Sequence, residues 1–386
     1  MIKGFVFYDN KKIPFVIDHC HMELFSDDDV LADFTKNYNF RNNYTLQGLY
    51  FRDGAQGEKA EFLVDHSFGT TCYLKCFILY NYFADEGFDS IGFQSPFLDG
   101  VFRYEYEFLD LARSGKNLTI EPVELYRIPF SMESVRYELV YRIGHDNRLG
   151  LLEDYNRRGE LILTLSKKQI QECYNIAVVL HRLAMFMTSY AEVPFKRIVL
   201  FKGDNRVGWL YCPFISEDEI SASVTFFGTR FMDFDVNKYI PRIIENIAKD
   251  SGRIITDSVP MGHLPRGDSR YTPQRFMEQV MAFEYLFNKL YPTLAQDRKY
   301  PLKKELKQMF DEFPALLADS RLSSVEVSDE ISKTRNNIAH GHAYYYEFEN
   351  GSKLQLIMIL LDRLIQKMSL QWMRFDKTEI SEYPIY

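Results

Sequence analysis

The feature that most constrains this chain is a change of hydrophobic period along its length. In the first two thirds apolar residues alternate, and in the last third they recur every three or four positions. Val135–Ile143 shows the first pattern best: Val135, Tyr137, Leu139, Tyr141 and Ile143 fall on one side, and Arg136, Glu138 and Arg142 on the other. A period of two marks a strand with one buried face. Weaker runs of the same kind cover Tyr44–Phe51, Glu61–Val64, Thr71–Tyr80, Leu118–Tyr126, Glu160–Leu165, Arg197–Phe201 and Val207–Cys212. Asp53-Gly54, Arg158-Gly159 and Lys202-Gly203-Asp204 supply turns between them. The aromatic share of 16% suits strands. Many short strands at close spacing predict a sandwich or an open barrel.

One helix interrupts this region. Ser166 and Gln169 fit a capping box, and Ile170, Cys173, Ile176, Ala177, Leu180 and Ala184 continue at helical spacing. This helix is expected to pack across the sheet. A further helix, around Pro241–Lys249, is expected to close the region. Residues 251–270 are rich in Gly and Pro and read as a loop. The expected fold class is therefore α+β: a β-rich N-terminal domain over residues 1–262, then an all-α domain over 271–386.

In the second part Thr272-Pro273 reads as an N-cap followed by proline at the first helical position. Phe276, Val280, Phe283, Phe287 and Leu290 carry the apolar stripe to Pro292. A second helix is expected from Pro301 to about Phe313, a third over Val325–Ala339 and a fourth over Lys353–Met373. Four helices of this size make a bundle.

The third helix ends in Lys333-Thr334-Arg335-Asn336-Asn337-Ile338-Ala339-His340-Gly341, which holds the only Arg-x4-His in the chain. At about 100° per residue, Asn336 and His340 lie about 40° apart and share a face, whereas Arg335 lies about 140° from His340. One straight helix does not aim Arg335 and His340 at one atom. The residue types suit RNA cleavage. RNA carries its own nucleophile, the 2′-OH, and an imidazole is suited to removing its proton near neutral pH. A guanidinium holds a phosphate through parallel hydrogen bonds and offsets charge in the transition state. The alternative is structural: cations at a helix C-terminus complement its dipole.

This arrangement resembles the HEPN superfamily, whose ribonucleases carry Arg-Asn-x3-His at the end of a helix in a small four-helix unit. The resemblance covers residues 271–386. Together with Gln279, Phe283-Glu284 in the first helix and the strand-rich N-terminal part, the longer pattern looks like the ApeA family of bacterial abortive-infection proteins. The resemblance implies that Arg335, Asn336 and His340 form the catalytic set, with Glu284 supporting it or else standing as an exposed helix charge. It further implies a composite site, built where the motifs of two subunits meet in a homodimer or a dimer of dimers. The implied activity is a metal-independent endoribonuclease of anti-phage defence that leaves 2′,3′-cyclic phosphate ends; no cofactor is implied. A non-catalytic HEPN binding module is the alternative.

Other features carry two readings each. Arg298, Lys299, Lys303, Lys304 and Lys307 surround the start of the second helix, as an RNA-binding patch or a solvated face. His342 and Tyr344-Tyr345-Tyr346 follow the motif; Tyr344 and Tyr345 are candidates for stacking on RNA bases or for packing between helices. His19, His21, His66, Cys72 and Cys76 raise the question of zinc, but no recognised ligand spacing appears, and no metal is expected. His181 is expected on a helix surface.

The whole-chain net charge of −8 excludes a strongly basic nucleic-acid coat. Residues 271–386 hold 15 Lys+Arg and 16 Asp+Glu, so the acidic excess lies in the first part. An acidic, aromatic-rich β domain suits a protein partner, and a phage protein that triggers the nuclease is the expected one. No uncharged apolar run reaches membrane-spanning length. The start, Met1-Ile2-Lys3-Gly4-Phe5, lacks an apolar run long enough for a signal peptide, so none is expected, and the five cysteines include no CxxC. A cytoplasmic protein with reduced thiols is expected.

Overall fold

The computed structural model describes residues 1–25, 29–39, 41–51, 57–81, 87–95, 98, 102, 114, 123–144, 158–188, 193–215, 235–250, 271–296, 300–318, 320, 322–342 and 348–383. The fold is mixed α+β. The chain forms two compact units: Met1–His181 with Val193–Gly228, and Arg182–Glu192 with Thr229–Tyr386.

The first unit is built on one antiparallel sheet. Its strands are β1 (Ile2–Tyr8), β2 (Lys11–Asp18), β3 (His21–Leu24), β4 (Asn42–Phe51), β5 (Glu58–Phe68), β6 (Thr71–Tyr80), β7 (Ser90–Gln94), β8 (Val123–Met132), β9 (Val135–Gly144), β10 (Arg158–Thr164), β11 (Arg197–Lys202) and β12 (Asn205–Tyr211). The order is β3-β2-β1-β4-β5-β6-β12-β11-β7-β10-β9-β8, with an added β3–β6 pairing. That pairing closes β3, β2, β1, β4, β5 and β6 into a ring. The remaining strands extend from it as an open sheet. Strand β6 makes both arrangements at one edge: Thr71–Tyr73 pair with β3, and Phe77–Tyr80 pair with β12.

The expected sandwich or open barrel is thus a barrel closed on one side and open on the other. Alternating inward side chains fill it, among them Val6, Ile13, Phe15, Leu46, Phe62, Val64 and Leu74. Phe15 and Phe62 meet edge to face, with centroids 5.1 Å apart. Closure brings β1 and β4 very near each other. A Cβ on Gly4 would lie 2.0 Å from the Leu49 carbonyl oxygen, and one on Gly48 would lie 2.2 Å from that of Phe5. Only glycine permits this approach.

The helix Ile170–Thr188 buries Ile170, Cys173, Ile176, Ala177, Leu180 and Ala184, the stripe read from the sequence. Its start differs from the expected capping box. The Glu172 carboxylate, rather than Ser166, organises the turn: it accepts the backbone N–H groups of Ser166, Lys167 and Lys168 and the hydroxyl of Tyr137 on β9. Burial opposes ionisation of Glu172, but hydrogen bonds from Ser166, Tyr137 and Lys167 outweigh it and hold the carboxyl below its usual range. His181 is half-buried rather than a free surface residue; its ring stacks on Phe214 at 4.3 Å.

In the second unit the helix expected at Pro241 starts earlier, at Val236, and runs to Lys249. Asp235 caps it by accepting the Lys238 N–H. The reason is its stripe: Val236, Tyr239, Ile240, Ile243, Ile244 and Ile247 are all buried, and burial of that face outweighs the cost of proline inside the helix. This helix was expected to close the N-terminal domain. It lies instead with the C-terminal helices, where Tyr239 meets Tyr383 edge to face at 5.3 Å and Arg242 pairs with Glu379 at 2.9 Å. The loop expected to divide the domains, at 251–270, lies outside the described residues.

The helices that follow are Pro273–Leu290, Leu302–Glu312, Ser324–Ala339 and Phe348–Trp372, with shorter turns at Pro292–Ala295, Pro314–Leu317 and Lys377–Glu382. Thr272 caps the first by accepting the Arg275 N–H at 3.2 Å, with Pro273 in the first turn, as expected. The first helix packs along Phe348–Trp372, and the second along Ser324–Ala339. Phe276, Phe283, Phe287 and Phe310 are fully buried, each contributing about 1.5–3 kcal/mol of burial. No described helix is long and apolar enough to cross a membrane.

Candidate functional site

The motif helix is fixed at both ends by local chemistry. At its start Ser323 Oγ accepts the Glu326 N–H and Glu326 Oε2 accepts the Ser323 N–H, a complete capping box. At its end Gly341 takes φ 66°, the left-handed conformation that favours glycine. The His342 N–H then bonds the Asn337 carbonyl at 3.0 Å, and the Gly341 N–H bonds that of Ile338 at 3.2 Å. This Schellman stop makes His340 the C-cap and leaves its side chain exposed. His342 is exposed beside it, the two rings 6.1 Å apart.

Val327, Ser328, Ile331 and Thr334 form the buried face of this helix. Asn336 and His340 lie in solvent, on a shared face as their spacing requires. Arg335 is half-buried at the margin between the two faces. One of its terminal nitrogens donates to Asn336 Oδ1 at 3.3 Å, and its Nε is buried without an acceptor. Among the described residues no hydrogen bond joins Arg335 to His340.

Arg335 acts electrostatically on Glu284 of the first helix. Burial pushes the Glu284 carboxyl above the usual range, and the Arg335 guanidinium opposes that rise. Glu284 is half-buried rather than an exposed helix charge, and among the described residues no ion pair joins it to Arg335.

A third charged group was not singled out by the motif. Glu305 on Leu302–Glu312 is 9% exposed and shares the buried face with Leu306, Met309 and Phe310. Burial, and then the Glu284 charge, push it up to about 7. A signal for it exists in the sequence: Leu302, Glu305, Leu306, Met309 and Phe310 follow an apolar stripe in which Glu305 is the exception.

The lysines behave differently from a free basic patch. Lys303 pairs with Asp329 at 2.7 Å, Lys333 with the same carboxylate at 2.6 Å, and Lys307 with Asp311. Asp329, held by both lysines, titrates at about 2. Lys304 lies by the Tyr300 ring. Arg298, Lys299, Tyr344 and Tyr345 lie outside the described residues.

The histidines and cysteines of the barrel do not assemble as strand-face ligands. His19 sits in the β2–β3 turn at φ 54° beside Asp18, so it does not share a strand face with His21. Cys72 and Cys76 are buried, their thiols pushed up mainly by desolvation. His21, Tyr73 and His66 instead stand in register across β3, β6 and β5, with His66 stacked on Tyr73 at 4.5 Å. They line a cleft of about 790 Å³ at the fork of β6. Among the described residues no group of three or more His, Cys, Asp or Glu comes together as a metal site.

The chain matches no family model, no curated protein and no solved structure.

Proposed function

We propose that the helical unit is a metal-independent endoribonuclease of the HEPN type, acting in bacterial anti-phage defence by abortive infection. The reading rests on the Arg-Asn-x3-His motif and, above all, on one observation: His340 is exposed at a helix stop while Arg335, five residues earlier, is half-buried where its charge acts on Glu284. In this reading the His340 imidazole takes the proton of an RNA 2′-OH. The 2′ oxygen attacks the adjacent phosphorus, and the P–O5′ bond breaks to leave a 2′,3′-cyclic phosphate and a 5′-OH. Arg335 holds the phosphate and offsets its charge, and Asn336 orients Arg335 through their hydrogen bond. Because Arg335 and His340 diverge by about 140° around one helix, a second copy of the chain completes the site across a two-fold axis. The four long helices after residue 271 serve as the HEPN bundle, and the barrel unit senses a protein partner such as a phage protein.

A non-catalytic binding module is the second reading. It is favoured by the engagement of Arg335 with Asn336 and Glu284, which a purely structural arginine would also show.

The test is incubation of the full chain with RNA in EDTA. Expected are fragments ending in 2′,3′-cyclic phosphate, resistance of a substrate with a 2′-deoxy sugar at the cut, and loss of cleavage in His340→Ala. Strict dependence on Mg²⁺, 5′-phosphate products, or wild-type cleavage by His340→Ala would overturn the reading. RNA bound but never cut would favour the binding module.

A further inference from the structure

The outward face of the barrel is apolar where a solvated sheet face is normally polar. On β1 the alternation puts Gly4 and Val6 inside and Lys3, Phe5 and Phe7 outside. Their partners in register continue the outer face: Val16, Pro14 and Lys12 on β2, and Phe51 and Leu49 on β4 opposite Lys3 and Phe5. Phe25, just past the end of β3, donates its N–H to the Pro14 carbonyl at 2.9 Å and extends the same face. Three of these rings stand in solvent: Phe7 is 41% exposed, Phe51 44% and Phe25 50%. Phe5 and Phe51 meet edge to face, with centroids 5.4 Å apart. A contiguous exposed patch of this kind marks a binding surface.

Cations are set into this patch. Lys3 stands opposite Phe51 across β1 and β4, and Lys12 opposite Phe7 across β1 and β2. Lys12 Nζ lies 6.0 Å from the centre of the Phe5 ring. Both lysines are exposed, and among the described residues neither forms an ion pair. The carboxylates lie at the margins: Asp18 engages His19, Glu61 pairs with Lys59, Glu23 accepts the Thr71 hydroxyl, and Asp9 sits in the β1–β2 turn. Lysine is disfavoured at the dry centre of a protein interface. Rings interleaved with unpaired ammonium groups suit a single-stranded nucleic acid instead, whose bases stack on aromatic rings and whose phosphates meet the cations. Successive outward side chains of one strand stand about 7 Å apart. Phe5 and Phe7 on β1, with Phe51 on the adjacent β4, are therefore neighbouring platforms, the arrangement by which sheet faces hold RNA bases.

We propose that the outer face of β1, β2 and β4 binds single-stranded RNA, with bases stacked on Phe7, Phe51 and Phe25 and phosphates held by Lys3 and Lys12. The patch itself owes nothing to the ribonuclease reading, but the choice of RNA over DNA rests on it: the barrel gathers the strand that the helical unit cuts. The acidic excess of the N-terminal part does not oppose this. Exposed charges are screened beyond about 8 Å at physiological ionic strength, so the unpaired lysines within the patch decide the local field.

The test is fluorescence anisotropy of a short labelled RNA without self-complementarity, titrated with the full-length chain carrying His340→Ala so that the strand stays intact. Phe7→Ala and Phe51→Ala, added singly, are each expected to weaken binding roughly 5- to 150-fold, the range of one lost stacking platform. Phe51→Trp, which keeps a ring, is expected to bind like the parent. Lys3→Gln together with Lys12→Gln is expected to reduce the slope of log affinity against log salt by about 1.4, or about 0.7 for each phosphate contact. RNA carrying 5-iodouridine is expected to cross-link to Phe7 or Phe51 under ultraviolet light. The substituted side chains are exposed, and circular dichroism verifies that each variant folds. Affinity and salt slope unchanged in these variants would overturn the proposal, as would tighter binding of the same sequence as DNA. Substitutions that leave RNA bound but abolish self-association or capture of a protein would overturn it too, and make the face a protein interface. If RNA is bound through this face and the wild type never cuts it, the ribonuclease reading fails and the proposal stands. If the wild type cuts RNA while binding ignores the face, the proposal fails alone.

Discussion

Arg335 donates to the side chain of its own neighbour, Asn336, at 3.3 Å, while its buried Nε has no acceptor. The guanidinium is thus held on one side and left unsatisfied on the other. An unmade hydrogen bond in a buried place is costly, about 1–3 kcal/mol. The cost is removed if a phosphate or a neighbouring carboxylate takes that edge.

This predicts a graded response to substitution. Arg335→Ala is expected to lower RNA cleavage by roughly 10²-fold or more, the size of losing one preorganised donor to a developing charge. His340→Ala is expected to cost about 10²–10⁴-fold, the range of a general base. Asn336→Ala, which only loosens Arg335, is expected to cost less than either. Initial rates on one RNA, with circular dichroism to verify folding, check the order. A variant of Asn336 weaker than Arg335→Ala would contradict the assigned roles.

The divergence of Arg335 and His340 around the helix predicts complementation. Inactive Arg335→Ala and inactive His340→Ala proteins, mixed and allowed to exchange subunits, are expected to regain part of the cleavage, because one mixed site carries Arg335 from one copy and His340 from the other. Sedimentation at the working concentration should show a dimer or a dimer of dimers. Mixtures that exchange subunits yet stay inactive would exclude a composite site.

Lys367 gives a prediction for stability alone. It is buried on Phe348–Trp372 and donates to the carbonyls of Ile380 and Tyr383, the latter at 3.0 Å. Desolvation lowers it from the ordinary 10.5 to about 8. Between those values the unfolded chain keeps a proton that the folded chain has released, so folding stability rises as pH rises through that window. Lys367→Met is expected to remove this rise. Chemical denaturation from pH 7.5 to 10.5 measures it, and parallel slopes for the two proteins would refute the assignment.

The motif end of the molecule was largely legible in the sequence because its signals are local. Thr272-Pro273 starts a helix and Gly341 stops another, each through bonds that span a few residues, and the Ser323–Glu326 capping box that starts the motif helix is equally local although it was not read. The alternation of Val135, Tyr137, Leu139 and Tyr141 likewise foretold β9. Strands β1 to β3 escape such reading. Gly4 and Pro14 dilute the strand signal, and β3 spans only His21–Leu24. The helix Asp29–Tyr38 buries one described side chain, Phe34, so its stripe is too thin to see.

Sequence alone therefore determined that a β-rich part precedes a helical part, where the motif helix begins and stops, and that Asn336 and His340 share a face. Those properties follow from the period of a strand or a helix and from caps, which are decided within a turn or two of chain. Tertiary structure alone decided the rest. Closure of the barrel needs β3 to reach β6, some fifty positions along. Tyr137 of β9 adds a hydrogen bond to the Glu172 carboxylate that only the packed fold supplies. Lys303 is paired because the second and third helices pack side by side and bring it to Asp329. The Arg335 charge reaches Glu284, and the Glu284 charge reaches Glu305, for the same reason: side chains distant in sequence share an environment only after helices pack, and burial and charge then shift what each can do.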